Sequence, residues 1–260
     1  MSRILLYIFL TSSLFAEGDA QDTLRLKTEA DSLFTVADSL LKIRQLDKAM
    51  ELYQDAYQKI STRENKAKLF KGMGMVYAYQ GNIREALANF EKELIIHKEL
   101  SNRLGEGKTL NNIGLIYDNL SEYQKALEYL EESLKIVREL GDRKSESETL
   151  INMGSTYETL SEYSKALEYF EKSLEISREI GNRKDEAGSL NNIGLIYEDL
   201  FDYPNALEYY EKSLEIARET GDLWLEASNL HHIGMVYEDL SDYPKALEYY
   251  EKSLVITRET

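Results

Sequence analysis

Lys108–Leu120 reads KTLNNIGLIYDNL, and its frame returns along the chain. Gly74, Gly114, Gly154, Gly194 and Gly234 are spaced 40 residues apart. Each has an aliphatic residue or methionine before it and a tyrosine three residues after it: Tyr77, Tyr117, Tyr157, Tyr197 and Tyr237. A period of this size marks an array of supersecondary units rather than one globular core. Within Lys108–Leu120, Leu110, Ile113, Tyr117 and Leu120 fall at steps of three or four and so line one helical face. Gly114 lies on that face too. Glycine inside a helix costs about 1 kcal/mol relative to alanine, so its return implies that something must approach closely there.

The pattern breaks at Ser121, which is expected to cap a second helix, with Gln124 in the capping-box place; Ser161 and Ser241 repeat it. Pro204 and Pro244 fall in first turns, where a missing N–H does little harm. The second helix is expected from about Tyr123 to Glu139, with Ala126, Leu127, Leu130, Leu134 and Ile136 as its apolar face. Ala126 and its equivalents Ala86, Ala166, Ala206 and Ala246 are expected opposite the glycine. Glu168→Lys172, Glu208→Lys212 and Glu248→Lys252 are i,i+4 pairs on the solvent face. Gly141, Gly181 and Gly221 are placed to take the left-handed conformation that ends a helix.

Composition narrows the function classes. The net charge of −16 lacks the basic footprint that nucleic acid or an anionic membrane requires. With no cysteine, disulfides, thiolate catalysis and Cys-ligated metal are excluded. Residues 1–20, MSRILLYIFLTSSLFAEGDA, place Arg3 before the apolar run Ile4–Leu10 and small residues at Ala16 and Ala20. This is the layout of a cleaved signal peptide, giving an exported protein; the alternative is an N-terminal membrane anchor.

These residues resemble the tetratricopeptide repeat, whose pattern is a large apolar residue at position 4, Gly or Ala at 8, Tyr at 11, Ala at 20, an aromatic or Leu at 24 and a small residue at 27. Leu110, Gly114, Tyr117, Ala126, Leu130 and Ser133 fill those places, as do Leu190, Gly194, Tyr197, Ala206, Tyr210 and Ser213. The repeat Ala67–Glu106 fits except for Glu93 at the small position, and a weaker first repeat has Leu33, Ala37, Ala49, Tyr53 and Ala56. The 40-residue length and the Gly141–Lys144 loop look like the long repeats of kinesin light chain and Pins-type adaptors. The resemblance implies an all-α, right-handed superhelical solenoid of helix–turn–helix repeats. Six of them fall at about 30–66, 67–106, 107–146, 147–186, 187–226 and 227–260, after a signal peptide at 1–20 and a segment at 21–29. A C-terminal capping helix is missing from the pattern.

The family generally binds peptides or protein segments in a concave groove lined by first helices. Positions 5 and 6 there carry Asn111 and Asn112, Ile151 and Asn152, Asn191 and Asn192, and His231 and His232. Asparagine is a mediocre helix former. Its return reads either as a ladder that bonds an extended peptide backbone or as bonds between neighbouring helices. Position 12 carries Asp118, Glu158, Glu198 and Glu238, and position 13 adds Asp199 and Asp239. These are either solvated helix ends or a negative groove that favours a basic segment. A chaperone-type carboxylate clamp would use Lys71, Met75, Asn112, Glu148 and Asn152, and Met75 and Glu148 break it. His231 and His232 point about 100° apart on a helix, which disfavours a shared metal. Trp224 reads as a partner anchor or, with Leu104 in the equivalent place, as packing between repeats.

No phosphate-cradling loop, nucleophile elbow or metalloprotease motif is present. The expected function is thus a non-enzymatic scaffold for a protein or peptide partner, with no metal and no cofactor. Alternatives are an exported sensor ectodomain cut from a larger kinase, cyclase or transcription regulator, and end-to-end self-association through the C-terminal repeat.

Overall fold

A computed structural model of the chain describes residues 29–60 and 62–259. The expected signal peptide and nearly all of the 21–29 segment lie outside the described residues. Among these, twelve helices follow one another and no residue is in a strand: α1 (29–42), α2 (Leu46–Lys59), α3 (Arg63–Tyr79), α4 (Ile83–Glu99), α5 (Arg103–Asn119), α6 (Tyr123–Leu140), α7 (Arg143–Thr159), α8 (Tyr163–Glu179), α9 (Arg183–Asp199), α10 (Tyr203–Thr220), α11 (Leu223–Asp239) and α12 (Tyr243–Glu259). The fold is the expected all-α helical repeat. The helices fall into two compact units that divide between Ile116 and Tyr117, inside α5.

In the first unit, Phe34, Tyr53, Leu69 and Val76 form the core. In the second, Leu150, Met153, Phe170, Leu190 and Ile193 form one cluster, and Tyr210, Leu230, Ile233 and Val236 form another. Each such side chain, fully buried, contributes about 1.5–3 kcal/mol.

The glycines of the first helices serve the aromatic at position 24, not the alanine expected opposite them. A methyl group added at Gly154 would stand 2.5 Å from the Phe170 ring, and one at Gly194 would stand 2.7 Å from the Tyr210 ring. Both rings are fully buried. The backbone must therefore lie directly on a large flat side chain, and only glycine leaves the space.

The capping expectation also needs correction. Ser121, Ser161 and Ser241 do not cap the second helices; they take left-handed backbone with φ of 59°, 58° and 61°. Ser121 N–H bonds the Asp118 carbonyl and Glu122 N–H bonds the Tyr117 carbonyl, so the serine closes the first helix. The cap itself falls one residue later, at Glu122, Glu162 and Asp202, and of these Asp202 accepts from Asn205 N–H. Serine tolerates this geometry poorly compared with glycine, and Gly81 fills the same place with φ of 76°. Between repeats the expectation holds: Gly141, Gly181 and Gly221 have φ of 70°, 68° and 70°.

A recurring ion cluster ties repeats together. Glu146 is buried, and its carboxylate is held by Arg138 Nε at 2.7 Å and Arg143 Nη1 at 2.6 Å; Arg143 Nη2 also reaches Glu179 at 2.5 Å. Glu186 repeats this with Arg178 at 3.0 Å and Arg183 at 2.6 Å, and Arg183 extends to Glu219. A buried carboxylate is tolerable only with such paired donors. In α11 the arginine is replaced by Leu223, and Glu226 keeps Arg218 alone, at 2.8 Å.

Candidate functional site

First helices bring the candidate residues to their C-terminal halves, since positions 5, 6 and 12 lie about two turns apart on one side. Asn111 and Asn112 belong to the first unit, where both are half-buried. Asp118 and all the later candidates belong to the second.

The position-5 residues do not share one environment. Asn191 is buried and donates from Nδ2 to Asn229 Oδ1 at 3.0 Å. Asn229 in turn donates to Ser213 Oγ and to the Leu225 carbonyl, both at 2.9 Å. Asn191 is thus committed to the joint between α9 and α11 rather than to a groove, the outcome that inter-helix bonding anticipated. Asn229 was missed by sequence reading; its signal was the polar residue that recurs before Leu150, Leu190 and Leu230 as Thr149, Ser189 and Asn229. His231 is exposed, with its ring 5.3 Å from that of Tyr250.

Position 6 differs. Asn152 and Asn192 are half-buried, and no hydrogen bond among the described residues engages the Asn192 amide. His232 stacks on Tyr210, ring to ring at 5.3 Å and 15°. Its Nδ1 is buried, 3.6 Å from Glu198 Oε2, and makes no hydrogen bond. The two histidine rings cross at 71° and engage different tyrosines, so they do not converge on a common point.

Position 12 carries the electrostatics. Tyr210 Oη–H donates to Glu198 Oε2 at 2.6 Å, and Tyr250 Oη–H donates to Glu238 Oε2 at 2.6 Å. Burial, reinforced by that bond to a carboxylate, raises the Tyr210 phenol far above its ordinary value and pushes the Tyr250 phenol up to about 12. Both hydroxyls are therefore fixed donors at neutral pH. In the repeat between them and the N-terminus, the aromatic is Phe170, which has no hydroxyl to give. Glu158 is left without that donor. Burial, and then the negative charge of Asp199, raise its carboxyl to about 7. Asp118 Oδ1 is likewise buried without a partner. None of Glu158, Glu198, Asp199 and Glu238 is paired with a lysine or arginine among the described residues, although lysines and arginines elsewhere in this unit are held by glutamates.

Away from this row, Lys165 lies over the Tyr157 ring at 4.8 Å and Lys245 over Tyr237 at 4.8 Å, beside stacked Tyr157–Tyr169 and Tyr237–Tyr249 pairs. These cation–π contacts absorb the lysines into structure. Trp224 does not pack between repeats as its equivalence with Leu104 suggested; it is 78% exposed. No helix among the described residues is long and apolar enough to cross a membrane.

The chain has neighbours among solved structures. Aspartyl phosphate phosphatase F from Bacillus subtilis matches at 17% identity with a TM-score of 0.72, over 95% of this chain and 75% of that one. A Rap protein complexed with competence and sporulation factor matches at 16% identity and a TM-score of 0.72, over 89% of this chain and 75% of that one. NprR in complex with its cognate peptide NprX matches at 18% identity and a TM-score of 0.68, over 99% of this chain and 80% of that one. At such identities the likeness is one of fold. No curated protein sequence matches the chain. The tetratricopeptide repeat family model matches residues 65–139, 108–179 and 185–259, most of the described chain. The glycine–aromatic register and the helix–turn–helix order are those of that model, and the chain belongs to the tetratricopeptide repeat family.

Proposed function

We propose that this chain is a non-catalytic scaffold that holds an extended peptide or protein segment against its first helices and prefers a basic one. The observation that carries the reading is the row Glu158, Glu198, Asp199 and Glu238. Its carboxylates are partly buried and lack a cation, in a unit whose other acidic side chains are largely matched. A lysine or arginine of a ligand would supply the missing charge, and in a partly desolvated setting such a pair fixes specificity and orientation. Asn152, Asn192 and His232 lie beside this row and offer amide and imidazole groups to a peptide backbone. The Rap protein and NprR, whose structures hold a peptide factor and a cognate peptide, support a peptide as the kind of ligand. Export on residues 1–20 is part of the proposal and is checked by N-terminal sequencing of the protein from its host.

Binding is tested by capture from the native host with the full chain and with Asn112, Asn152 and Asn192 replaced by alanine. A partner held by the former and lost by the latter supports the amide ladder. A partner held equally by both removes it.

A further inference from the structure

The α11–α12 end of the second unit is more apolar than the repeat requires. Leu223, Trp224, Tyr250, Ser253 and Leu254 line an open trough of about 750 Å³ there. One repeat earlier the equivalent face is covered by α11: Asn229 bonds Ser213, and His232 lies on Tyr210. Leu134, Leu174 and Leu214 are accordingly 6–8% exposed, whereas Leu254, in the same register, is 47% exposed. Three substitutions then go beyond mere lack of cover. Leu223 and Trp224 stand where Arg143–Lys144 and Arg183–Lys184 stand, and Val255 stands where Lys135, Glu175 and Glu215 stand. A surface meant for solvent would keep those charges.

The complementary face is present in the first unit. In α1, Ser32, Thr35 and Val36 hold the repeat positions of Asn229, His232 and Ile233. Ile193 and Ile233 are fully buried against the preceding repeat, but Val36 is 49% exposed. Ser32 has the hydroxyl needed at Ser253, as Ser189 donates to Ser173 at 3.1 Å within the chain.

We infer that the protein self-associates head to tail, with α1 of a second copy seated on the α11–α12 face in the register that α11 takes on α9 and α10. The joint continues the contact already made between repeats. Because it is heterologous, it leaves one face of each kind open and allows chains longer than a dimer.

The test is sedimentation equilibrium of the full chain made in a secreting host, with Val36→Glu and Leu254→Glu variants. Mass is expected to rise with concentration in the parent. Each variant alone is expected to stay monomeric, and an equimolar mixture of the two is expected to stop at a dimer, since only one pair of intact faces remains. A Leu223→Arg/Trp224→Lys variant restores the residues of the other repeats, so it keeps the fold, and is expected to weaken association about tenfold or more. A parent that is monomeric throughout overturns the inference. So do oligomers unmoved by either glutamate, and so does a loss caused by Leu254→Glu alone.

Discussion

Gly154 and Gly188 both lie inside helices, yet alanine should act on them in opposite directions. At Gly154 the new methyl meets Phe170, which is fully buried and cannot swing away, so Gly154→Ala is expected to cost about 1–3 kcal/mol. At Gly188 nothing lies within 4 Å, and Gly188→Ala should stabilise by up to about 1 kcal/mol. Urea unfolding of the two variants measures both. The recurrence of Gly154 and its absence of a counterpart at Gly188 were visible in the sequence. What each glycine touches was not, because alanine at position 20 and an aromatic at position 24 fit the same period. Glu158 gives a second expectation. Its folded carboxyl is raised to about 7, above the ordinary value of 4.5. Folding is thus favoured by its protonated form, and this contribution is fully present below about pH 4.5 and is lost as pH rises through 7. Glu158→Gln should leave stability at pH 5 nearly unchanged and raise it at pH 8 by about 1–2 kcal/mol after solvent screening is allowed for. A variant with the same pH dependence as the parent would mean that Glu158 is already ionised.

At the scale of the helix, the joints between repeats depend on buried glutamates held by arginines. Arg143→Ala leaves Glu146 with Arg138 alone, the state Glu226 already has, and should cost about 1 kcal/mol. Replacing both arginines leaves a buried carboxylate without a cation and should cost about 3 kcal/mol or more. Thermal melts of the single and double variants test whether the cost rises in this way. The recurring Arg-x-x-Glu of Arg143–Glu146 and Arg183–Glu186 was legible as a pattern. Its burial was not, because charged residues early in a helix ordinarily read as solvated. The turn inside the repeat shows the same limit. Serine before a helix suggests a cap, yet here the left-handed closure of the preceding helix takes it. Phe201 is the outlier of that series, a bulky side chain at φ of 59° and 75% exposed, with Tyr203 edge-on at 6.3 Å. Phe201→Gly relieves the conformation and is expected to stabilise by about 1 kcal/mol.

For the whole molecule, the repeat period was sufficient to give the helix order and the all-α class, because every repeat carries the same apolar spacing. The candidate site was legible only as positions. Asn191 and Asn192 look alike in sequence, yet one is spent on Asn229 and the other is not. Likewise Glu158, Glu198 and Glu238 look alike, and a single hydroxyl, absent from Phe170, separates their chemistry. The central claim is that this row of carboxylates selects a basic segment. The most direct measurement is to probe a randomised peptide array with the full chain and with a Glu158→Gln/Glu198→Gln/Glu238→Gln variant. Peptides enriched in lysine and arginine, with signals that fall with salt and are lost in the variant, are the predicted result. Selected peptides with no basic enrichment, or signals equal in parent and variant, would contradict it.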